Sequence, residues 1–483
     1  MHKLRTILLY EADFNQNNKN MARVLMACAE KYGLLAPEQY GSRKGHNAQD
    51  QSLNKGLTFD IFRQLHACGV ISCVDLQGCY DRIIHTAAGL ALRRVGAPPE
   101  VVDSSFSTIQ NLKHYVRTVY GDSDLKLLAR QGNIPIQGVG QGNGAGPAIW
   151  AFVSTPIFNS MRKRGYGVFL RNPISKEEFQ FAGYAFVDDT DLVFSLTPNE
   201  PSDRIFQIMQ EGMTWFEGNV QASGGALEPD KSHWSMVDFT WSNGRWHYVM
   251  PKPDDPDMRI RNPGGNLESI RRLPPDTAER TLGCRLTPNG TMQPEYDYLL
   301  KCTKEWAEKV RTKHIPPDLV WESLTTGIFR KIMWPLVTST FTEKECEEII
   351  KPILLVGLSR SNIVRTLSRA VVHGPTEYGG LALPNLYTEQ GIYKIDRLCK
   401  FGANYKFITG FLLRDSFEHV TLELGLPGNP LDQEYQQWHH LVTDCWIKSG
   451  WKFLKENNIA ITPTTPQLTT IRQCDSMLMQ RFH

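Results

Sequence analysis

The chain has 483 residues, a length that predicts about two to four domains, each able to bury a core. Its 53 Lys and Arg residues against 51 Asp and Glu leave a formal net charge of +2, so bulk charge does not indicate a nucleic-acid partner. Such a partner would need local basic surfaces, because phosphate affinity comes from clustered Lys and Arg.

Cysteine spacing and hydropathy narrow the class further. The ten cysteines form no C-x-x-C pair, which argues against zinc knuckles and disulfide frameworks and favours a reducing compartment. The N-terminal apolar run is too short for a signal peptide, and no stretch approaches the roughly 18 apolar residues of a membrane helix. We therefore expect an intracellular protein, in the nucleus or the cytoplasm, without a membrane partner.

The first elements along the chain are a candidate strand, two helices and a basic loop. Residues 4–10 are apolar and could form a strand, and residues 19–32 and 51–68 have the apolar periodicity of helices. Between the helices, residues 39–50 hold two glycines and Arg43. This segment could be a loop that grips phosphate or a plain solvated loop.

A short buried strand is predicted over residues 70–76, which are rich in β-branched residues and include Asp75 near the end. Tyr80 and Asp81 follow, and residues 82–95 are predicted to be helical. A carboxylate at a strand end, opposite a second carboxylate pair, is what a two-metal site requires. Asp81 has a simpler explanation, because acids favour the first turn of a helix.

Residues 137–147 are the most glycine-dense part of the chain, and a helix follows them at once. The spacing permits a G-x-G-x-x-A dinucleotide motif, but basic residues 162–164 stand where the required acid would be, so we reject it. The glycines allow either another backbone or a nucleotide to approach closely.

A β-hairpin is predicted over residues 183–194, with Asp188 and Asp189 at its tip between two apolar runs. Two carboxylates this close repel each other, and a cation between them removes that cost. Oxygen ligands suit Mg²⁺. The alternative is an ordinary solvated Asp-Asp turn.

Three later segments complete the predicted elements. Residues 235–250 read as a hairpin that turns at Asn243-Gly244, and residues 251–265 as an exposed loop. A helix follows with an inward stripe of Leu299, Cys302, Trp306 and Val310 and with basic residues on its other faces.

Six motifs resemble those of the reverse transcriptases (RNA-directed DNA polymerases) of non-LTR retrotransposons, and they follow one another in the order typical of that family. They stand at residues 39–43, 75–81, 138–147, 186–189, 224–232 and 281–284. One departure is Gly140, where the family usually has Arg before the motif glutamine.

The resemblance implies an α+β fold of the right-hand polymerase type, with fingers, palm and thumb. The palm would be an antiparallel sheet with helices on one face. The implied regions are fingers at 1–70, palm at 71–286 with a fingers insertion at about 97–135, a thumb-like helical region at 287–400 and a C-terminal helical extension at 401–483.

The resemblance also implies a template-directed nucleotidyl transfer from dNTP to a primer 3′-hydroxyl. Asp75, Asp188 and Asp189 would be the catalytic carboxylates and would hold two Mg²⁺ ions, with Mn²⁺ as an alternative. Tyr80 would select the sugar by excluding a 2′-hydroxyl, or would be a core aromatic residue. The implied partners are an RNA template, a DNA primer and dNTP.

Five further residues take roles from the resemblance. Gln141 and Gly142 would lie near the nascent base pair, Arg43 would hold phosphates, and Lys231 would stabilise or protonate the departing pyrophosphate. The turn at Leu282 and Gly283 would form the primer grip.

The alternative function is a decayed, non-catalytic retrotransposon remnant that only binds RNA or protein. The lack of an endonuclease or RNase H pattern and the presence of Gly140 keep this alternative open. Intact Asp75, Asp188 and Asp189 argue against it.

Overall fold

Helices and strands are mixed along the whole chain in the computed structural model, which describes residues 7–124, 127–128, 130–131, 134–135, 137–196, 200–401 and 407–461. The helices are α1 (Ala12–Lys31), α2 (Ala48–Leu65), α3 (Cys79–Arg82), α4 (His85–Arg94), α5 (Pro99–Asn111), α6 (Gly146–Lys163), α7 (Arg204–Ala222), α8 (Gln293–Thr312), α9 (Pro317–Glu322), α10 (Phe329–Met333), α11 (Glu343–Arg360), α12 (Arg369–His373), α13 (Leu386–Phe401), α14 (Ile408–Leu424), α15 (Tyr435–Trp438) and α16 (Trp446–Glu456). The strands are β1 (Gly69–Val74), β2 (Lys113–His114), β3 (Arg117–Thr118), β4 (Gly121–Asp122), β5 (Leu127–Leu128), β6 (Arg130–Gln131), β7 (Ile134–Pro135), β8 (Val168–Arg171), β9 (Glu178–Phe181), β10 (Gly183–Phe186), β11 (Asp189–Ser195), β12 (His233–Val237), β13 (Phe239–Ser242), β14 (Arg245–Tyr248), β15 (Arg259–Arg261), β16 (Leu267–Ser269), β17 (Arg271–Leu273), β18 (Glu279–Thr281) and β19 (Cys284–Leu286).

The central sheet has five strands in the order β10-β11-β1-β12-β17. β1 is antiparallel to both β11 and β12, and β10 is antiparallel to β11. The expectation of a wholly antiparallel sheet is wrong at one edge, where β17 runs parallel to β12. The chain passes through the hairpins β13–β14 and β15–β16 before it reaches that edge, so it can enter β17 in the same direction as β12.

Helices cover both faces of this sheet, whereas the sequence led us to expect them on one face. Val70 and Val74 share a core with residues of α6 and α7, while Ile71 lies in a second core with residues of α2. Successive side chains of a strand point to opposite faces, so β1 is buried on both sides. This double burial accounts for its continuous β-branched run.

Local sequence signals set the ends of several helices. Asn47 caps α2 by accepting a hydrogen bond from the Asp50 amide, and His66 ends the helix in a left-handed conformation. Thr342 and Glu345 form a capping box at the start of α11. These side chains satisfy amide groups that the helix itself leaves without partners.

Helix α2 is buried along almost its whole length, including its polar residues. On its outer side it packs against α14, where Gln64 and Ser416 exchange two hydrogen bonds of 3.0 and 3.2 Å. Glu418 of α14 accepts the amides of Ile174 and Ser175 between β8 and β9. The predicted C-terminal extension therefore shares one core with the sheet over its described residues, and residues 402–406 and 462–483 lie outside them.

A third core joins α8 and α11, which run side by side in the same direction. Tyr296 bonds Glu348 near their beginnings at 2.5 Å, and Arg360 bonds the Lys313 carbonyl near their ends at 2.7 Å. The inward stripe that the sequence predicts in α8 is buried at three positions, and its fourth residue, Trp306, is half-buried.

Other sequence expectations differ in detail. Helix α1 begins at Ala12, before the predicted start at residue 19. The predicted helix 82–95 is two helices, because the Ile84 amide between α3 and α4 bonds the Ser223 carbonyl instead of continuing the helix. The predicted loop 251–265 contains β15.

The remaining regions add two observations. The predicted insertion at 97–135 holds α5 and the short strand pairs β2–β5, β3–β4 and β6–β7, with residues 125, 126, 129, 132 and 133 outside the described chain. Within the described ranges, every helix is either too short or too polar to span a membrane.

Glu295 of α8 generates a stability prediction. Burial raises the pKa of this carboxyl to about 7 from 4.5, so the folded state binds a proton that the unfolded state releases. This contribution to stability is full below about pH 4.5 and is lost as pH rises to about 7. Over that window, the free energy of unfolding of the parent should fall by about 3 kcal/mol relative to Glu295→Gln.

Urea unfolding at a series of pH values measures this difference. Glu305→Gln, at an exposed position of the same helix, is the control and should follow the parent at every pH. Parallel curves for the parent and Glu295→Gln would contradict the prediction.

Candidate active site

Two neighbouring strands bring the predicted carboxylates together. The register of β1 against β11 pairs Val74 with Thr190, so the next position places Asp75 opposite Asp189. Opposite residues of antiparallel strands have Cα atoms about 4.5–5.5 Å apart. Asp188 immediately precedes Asp189 in the loop that leads into β11, so all three aspartates lie at one end of the sheet.

The predicted hairpin forms, with a two-residue loop of Val187 and Asp188 between the paired Phe186 and Asp189. Its tip differs from the prediction in one respect, because Asp189 is the first residue of β11 and only Asp188 lies in the loop. Val187 has φ of 60°, a left-handed conformation that is costly for a β-branched residue. Such a conformation persists only where the surroundings impose it.

Gln39 and Trp150 hold this strained loop. The Gln39 side chain accepts the Val187 amide at 2.9 Å and donates to its carbonyl at 3.2 Å. The Trp150 indole donates to the same carbonyl at 2.6 Å. These contacts fix the backbone from which Asp188 and Asp189 project.

The motif at residues 39–43 therefore supports the carboxylate hairpin. A Cβ at Gly41 would lie 2.5 Å from the Val187 amide nitrogen, so only glycine fits there. Arg43 bonds both carboxylate oxygens of Glu30 at 2.7 and 2.9 Å and the carbonyls of Ala36 and Gln39. The expectation that Arg43 holds phosphates conflicts with these contacts, because its guanidinium is already bonded and its side chain is only 10% exposed.

Like charges crowd this end of the sheet. Partial burial raises the pKa of Asp189 to about 6, with further increases from the charges of Asp188, Asp191 and Asp75, while Lys55 lowers it. A cation would relieve this repulsion, and the donors are all oxygens, the set that Mg²⁺ prefers. Among the described residues, no three Asp, Glu, His or Cys side chains already converge as a metal site, so an ion would need to draw these carboxylates inward.

Lys231 supplies a cation from the protein at the same place. Its ammonium lies 2.9 Å from an Asp75 carboxylate oxygen, and both side chains are partly exposed. The loop that carries Lys231 is fixed on β1, because the Glu228 amide bonds the Asp75 carbonyl and Ser232 accepts the Asp75 amide. A metal ion at Asp75 would compete with this ammonium.

Tyr80 lies beside the carboxylates. Its ring is half-buried and faces Gly146, where a Cβ would approach it to 3.4 Å. Burial and the neighbouring Cys79 and Asp188 raise the pKa of the Tyr80 hydroxyl, which stays protonated. This placement fits either the predicted sugar contact or packing against α6.

The glycine-dense loop is filled by the N-terminal segment of the chain. A Cβ at Gly142 would lie 2.1 Å from the Leu8 carbonyl oxygen, and one at Gly140 would lie 2.4 Å from the Tyr10 hydroxyl. The Gln141 carbonyl accepts the Leu8 amide at 2.7 Å. Of the two alternatives left open by the sequence, these glycines admit another backbone, which conflicts with a nucleotide role for Gly142.

The predicted primer grip is a tight turn between β18 and β19. Leu282 and Gly283 both have positive φ, 48° and 97°. The Trp334 indole donates to the Leu282 carbonyl at 2.8 Å, and a Cβ at Gly283 would lie 2.7 Å from that indole nitrogen. Trp334 thus holds the turn, and its ring stays partly exposed.

The sequence did not reveal the side chains beneath the carboxylates. Lys55, Cys73, Asp191 and Thr281 form one buried hydrogen-bonded cluster. The spacing of Asp189 and Asp191 places them on one face of β11, and this is the only signal that could have indicated the cluster. Gln39 belongs to one of the predicted motifs, but its contact with Val187 has no signal in the sequence.

Comparison with known proteins identifies the family. A protein-family model described as reverse transcriptase (RNA-dependent DNA polymerase) matches residues 1–284, more than half of the chain. The chain belongs to this family. A comparison with curated proteins found no match.

Solved structures of telomerase match over much of the chain at low identity. Apo telomerase from Candida tropicalis is 10% identical, with 83% of this chain and 61% of that chain covered and a TM-score of 0.36. Telomerase from Candida albicans in complex with a TWJ fragment of telomeric RNA is 13% identical, with 83% and 57% covered and a TM-score of 0.31. The chain spans less than two thirds of the length of these structures.

The Gln39 contact generates the second prediction. Gln39→Ala removes both hydrogen bonds to Val187, so the strained loop should relax and misplace Asp188 and Asp189. We expect the free energy of unfolding to fall by about 1–3 kcal/mol. Primer extension, the activity proposed below, should fall about tenfold or more, because small displacements of groups at a reaction centre slow chemistry strongly.

Gln64→Ala is the matched control, since Gln64 is also a buried glutamine hydrogen-bonded through its side chain but lies against α14. It should lose similar stability and keep primer extension, compared by urea unfolding and by single-nucleotide addition. Equal losses of extension in both variants would show that stability alone explains the effect.

Proposed function

We propose that this chain is an RNA-directed DNA polymerase of the non-LTR retrotransposon type that adds dNTP to a DNA primer on an RNA template. The observation that carries the proposal is the register of β1 and β11, which places Asp75 opposite Asp189 and next to Asp188. Membership of the reverse transcriptase family supports the reaction type.

Asp75, Asp188 and Asp189 would hold two Mg²⁺ ions. Their all-oxygen donor set, their mutual repulsion and the ammonium already bound at Asp75 all fit divalent cations. When bound, such ions activate the primer 3′-hydroxyl and stabilise charge on the transferred phosphate.

Residues around the carboxylates then take the roles of binding and orienting. Lys231, once released from Asp75, has an exposed ammonium beside the site and would bind the departing pyrophosphate. Tyr80 would lie against the sugar, with its protonated hydroxyl near Asp188. Leu282 and Gly283 would position the primer end from the turn that Trp334 holds.

In this proposal the fingers, palm and thumb of a right-hand polymerase correspond to separate groups of helices and strands. Residues 1–70 with the insertion at about 97–135 act as fingers, and the five-stranded sheet within 71–286 acts as the palm. The helices of the third core, within 287–400, act as the thumb. The described residues beyond 400 pack against the outer side of α2, as the Gln64–Ser416 contact indicates.

The third prediction tests catalysis. Asp188→Asn with Asp189→Asn keeps size and turn preference but removes the charges that hold Mg²⁺. Folding should survive, with a slightly higher unfolding midpoint, because two repelling carboxylates are gone. Primer extension should fall by several orders of magnitude, while duplex binding through Lys and Arg persists with nearly unchanged salt dependence.

Asp254→Asn with Asp318→Asn removes the same charge at exposed positions away from β1 and β11 and is the control. It should extend primers like the parent. If the parent extends no primer and the Asp188/Asp189 variant binds RNA identically, the chain is the non-catalytic remnant and the polymerase proposal fails.

The fourth prediction concerns sugar choice. Tyr80→Ala removes a ring beside the carboxylates without removing a metal ligand, so ribonucleotide incorporation should rise while much of the dNTP activity remains. Single-turnover incorporation of matched dNTP and NTP measures the ratio, with Tyr166→Ala, a half-buried tyrosine next to α6, as the control. Unchanged discrimination in Tyr80→Ala would leave Tyr80 as packing only.

A further inference from the structure

Lys55 is a buried lysine in the middle of α2, with its side chain 5% exposed. Its ammonium has three hydrogen-bond acceptors: Cys73 Sγ at 2.9 Å, Asp191 Oδ1 at 3.0 Å and Thr281 Oγ1 at 2.9 Å. A lysine ammonium carries three N–H donors, so each donor has one acceptor here.

The three acceptors come from three different strands. Cys73 lies in β1, two residues before Asp75, and Asp191 lies in β11, two residues after Asp189. Thr281 ends β18 and directly precedes Leu282 in the turn that Trp334 holds. One ammonium thus joins the two strands that carry the carboxylates to the strand that carries the candidate primer grip.

We propose that Lys55 is a positioning residue that sets the distance between the primer-grip turn and the catalytic carboxylates. The inference rests on the polymerase function proposed above and assigns to that site a residue from outside its motifs. Lys55 is buried and acts through its contacts with Asp191, Cys73 and Thr281.

The surroundings make this junction rigid. Asp191 and Thr281 are both at least nine-tenths buried, so the hydrogen bonds that Lys55 donates to these two residues are shielded from water. Cys73 donates its own proton to Asp191 at 2.6 Å, and Ser52, one turn before Lys55, donates to the Thr281 carbonyl at 3.2 Å. Helix α2 therefore binds both the backbone carbonyl and the side-chain hydroxyl of Thr281 in β18.

The ammonium is also charged within this buried cluster. Burial lowers the pKa of Lys55. The contacts with Asp191 and Cys73 raise the pKa by more than burial lowers it, so the net shift is upward. Replacing Lys55 itself would leave Asp191 as a buried, unpaired charge and would disturb folding. Thr281 is the better position to change, because Thr281→Val keeps the shape of the side chain and leaves the Lys55–Asp191 pair intact.

The experiment follows one nucleotide addition before the steady state, with excess dNTP on a template–primer. The rate constant of the first turnover reports the alignment of the primer end, and its amplitude reports the fraction of active protein. For Thr281→Val we expect a rate constant about tenfold lower, with an unchanged amplitude and an unchanged midpoint of Mg²⁺ activation. Thr281→Ser restores the hydroxyl and should restore the rate constant.

Thr303→Val is the matched control, because Thr303 is a fully buried threonine whose hydroxyl bonds the Leu300 carbonyl within α8. It should lower the unfolding midpoint as much as Thr281→Val does and leave the rate constant unchanged. A loss of amplitude without a change in rate constant for Thr281→Val would overturn the inference, because it marks a role in stability only.

Two other outcomes separate the inference from the function on which it rests. If the parent extends primers and Thr281→Val has the same rate constant, Lys55 does not position the primer grip and the polymerase proposal stands. If the parent extends no primer under any Mg²⁺ or Mn²⁺ concentration, the polymerase proposal fails and the inference falls with it.

Discussion

Electrostatic repulsion among aspartates at one end of the central sheet is the constraint on which the rest of the site depends. The β1–β11 register collects Asp75, Asp189 and Asp191 on one face, and Asp188 lies next to them. Two lysine ammonium groups offset this repulsion, one from each side of the site. Lys55 lies beneath the sheet end inside the core, and Lys231 meets Asp75 from the solvent side. The buried cation is part of the fold, whereas the exposed one is the cation that the proposed Mg²⁺ ions would displace from Asp75.

Helix α2 connects this site to the rest of the molecule. Its inner side meets the sheet through Lys55, and its outer side packs on α14 through Gln64. Several buried polar side chains of α2 have partners in the C-terminal helices, as in the Gln64–Ser416 contact and the hydrogen bond from the Trp446 amide to Asp60. This arrangement explains why the chain beyond the family match still belongs to the same core. Arg397 of α13, for example, bonds the buried Asp50 at the start of α2 at 3.0 Å.

Two motifs that resemble ligand-binding segments contact backbone segments of the protein itself in this structure. Gln39 bonds the strained Val187 loop, and Gly41 allows that loop to approach closely. Arg43 of the same motif bonds Glu30. The glycine-dense loop admits the N-terminal segment at Leu8, which fills the space that a nucleotide would need beside Gly142. Both cases have the same physical basis. Glycine permits close approach by any group, and the sequence does not say which group approaches.

The sequence by itself determined the elements with strong local signals. These include the hairpin that presents Asp188 and Asp189, the turn at Asn243-Gly244 and the buried strand before Asp75, because alternation, turn residues and β-branched runs act over a few residues. Tertiary structure alone decided the parallel edge strand, the second covered face of the sheet and the junction at Lys55. The Lys55 junction joins α2 to Asp191 and Thr281, which lie more than a hundred residues further along the chain, and a lysine in a helix pattern carries no sign of the strand that will accept its hydrogen bonds.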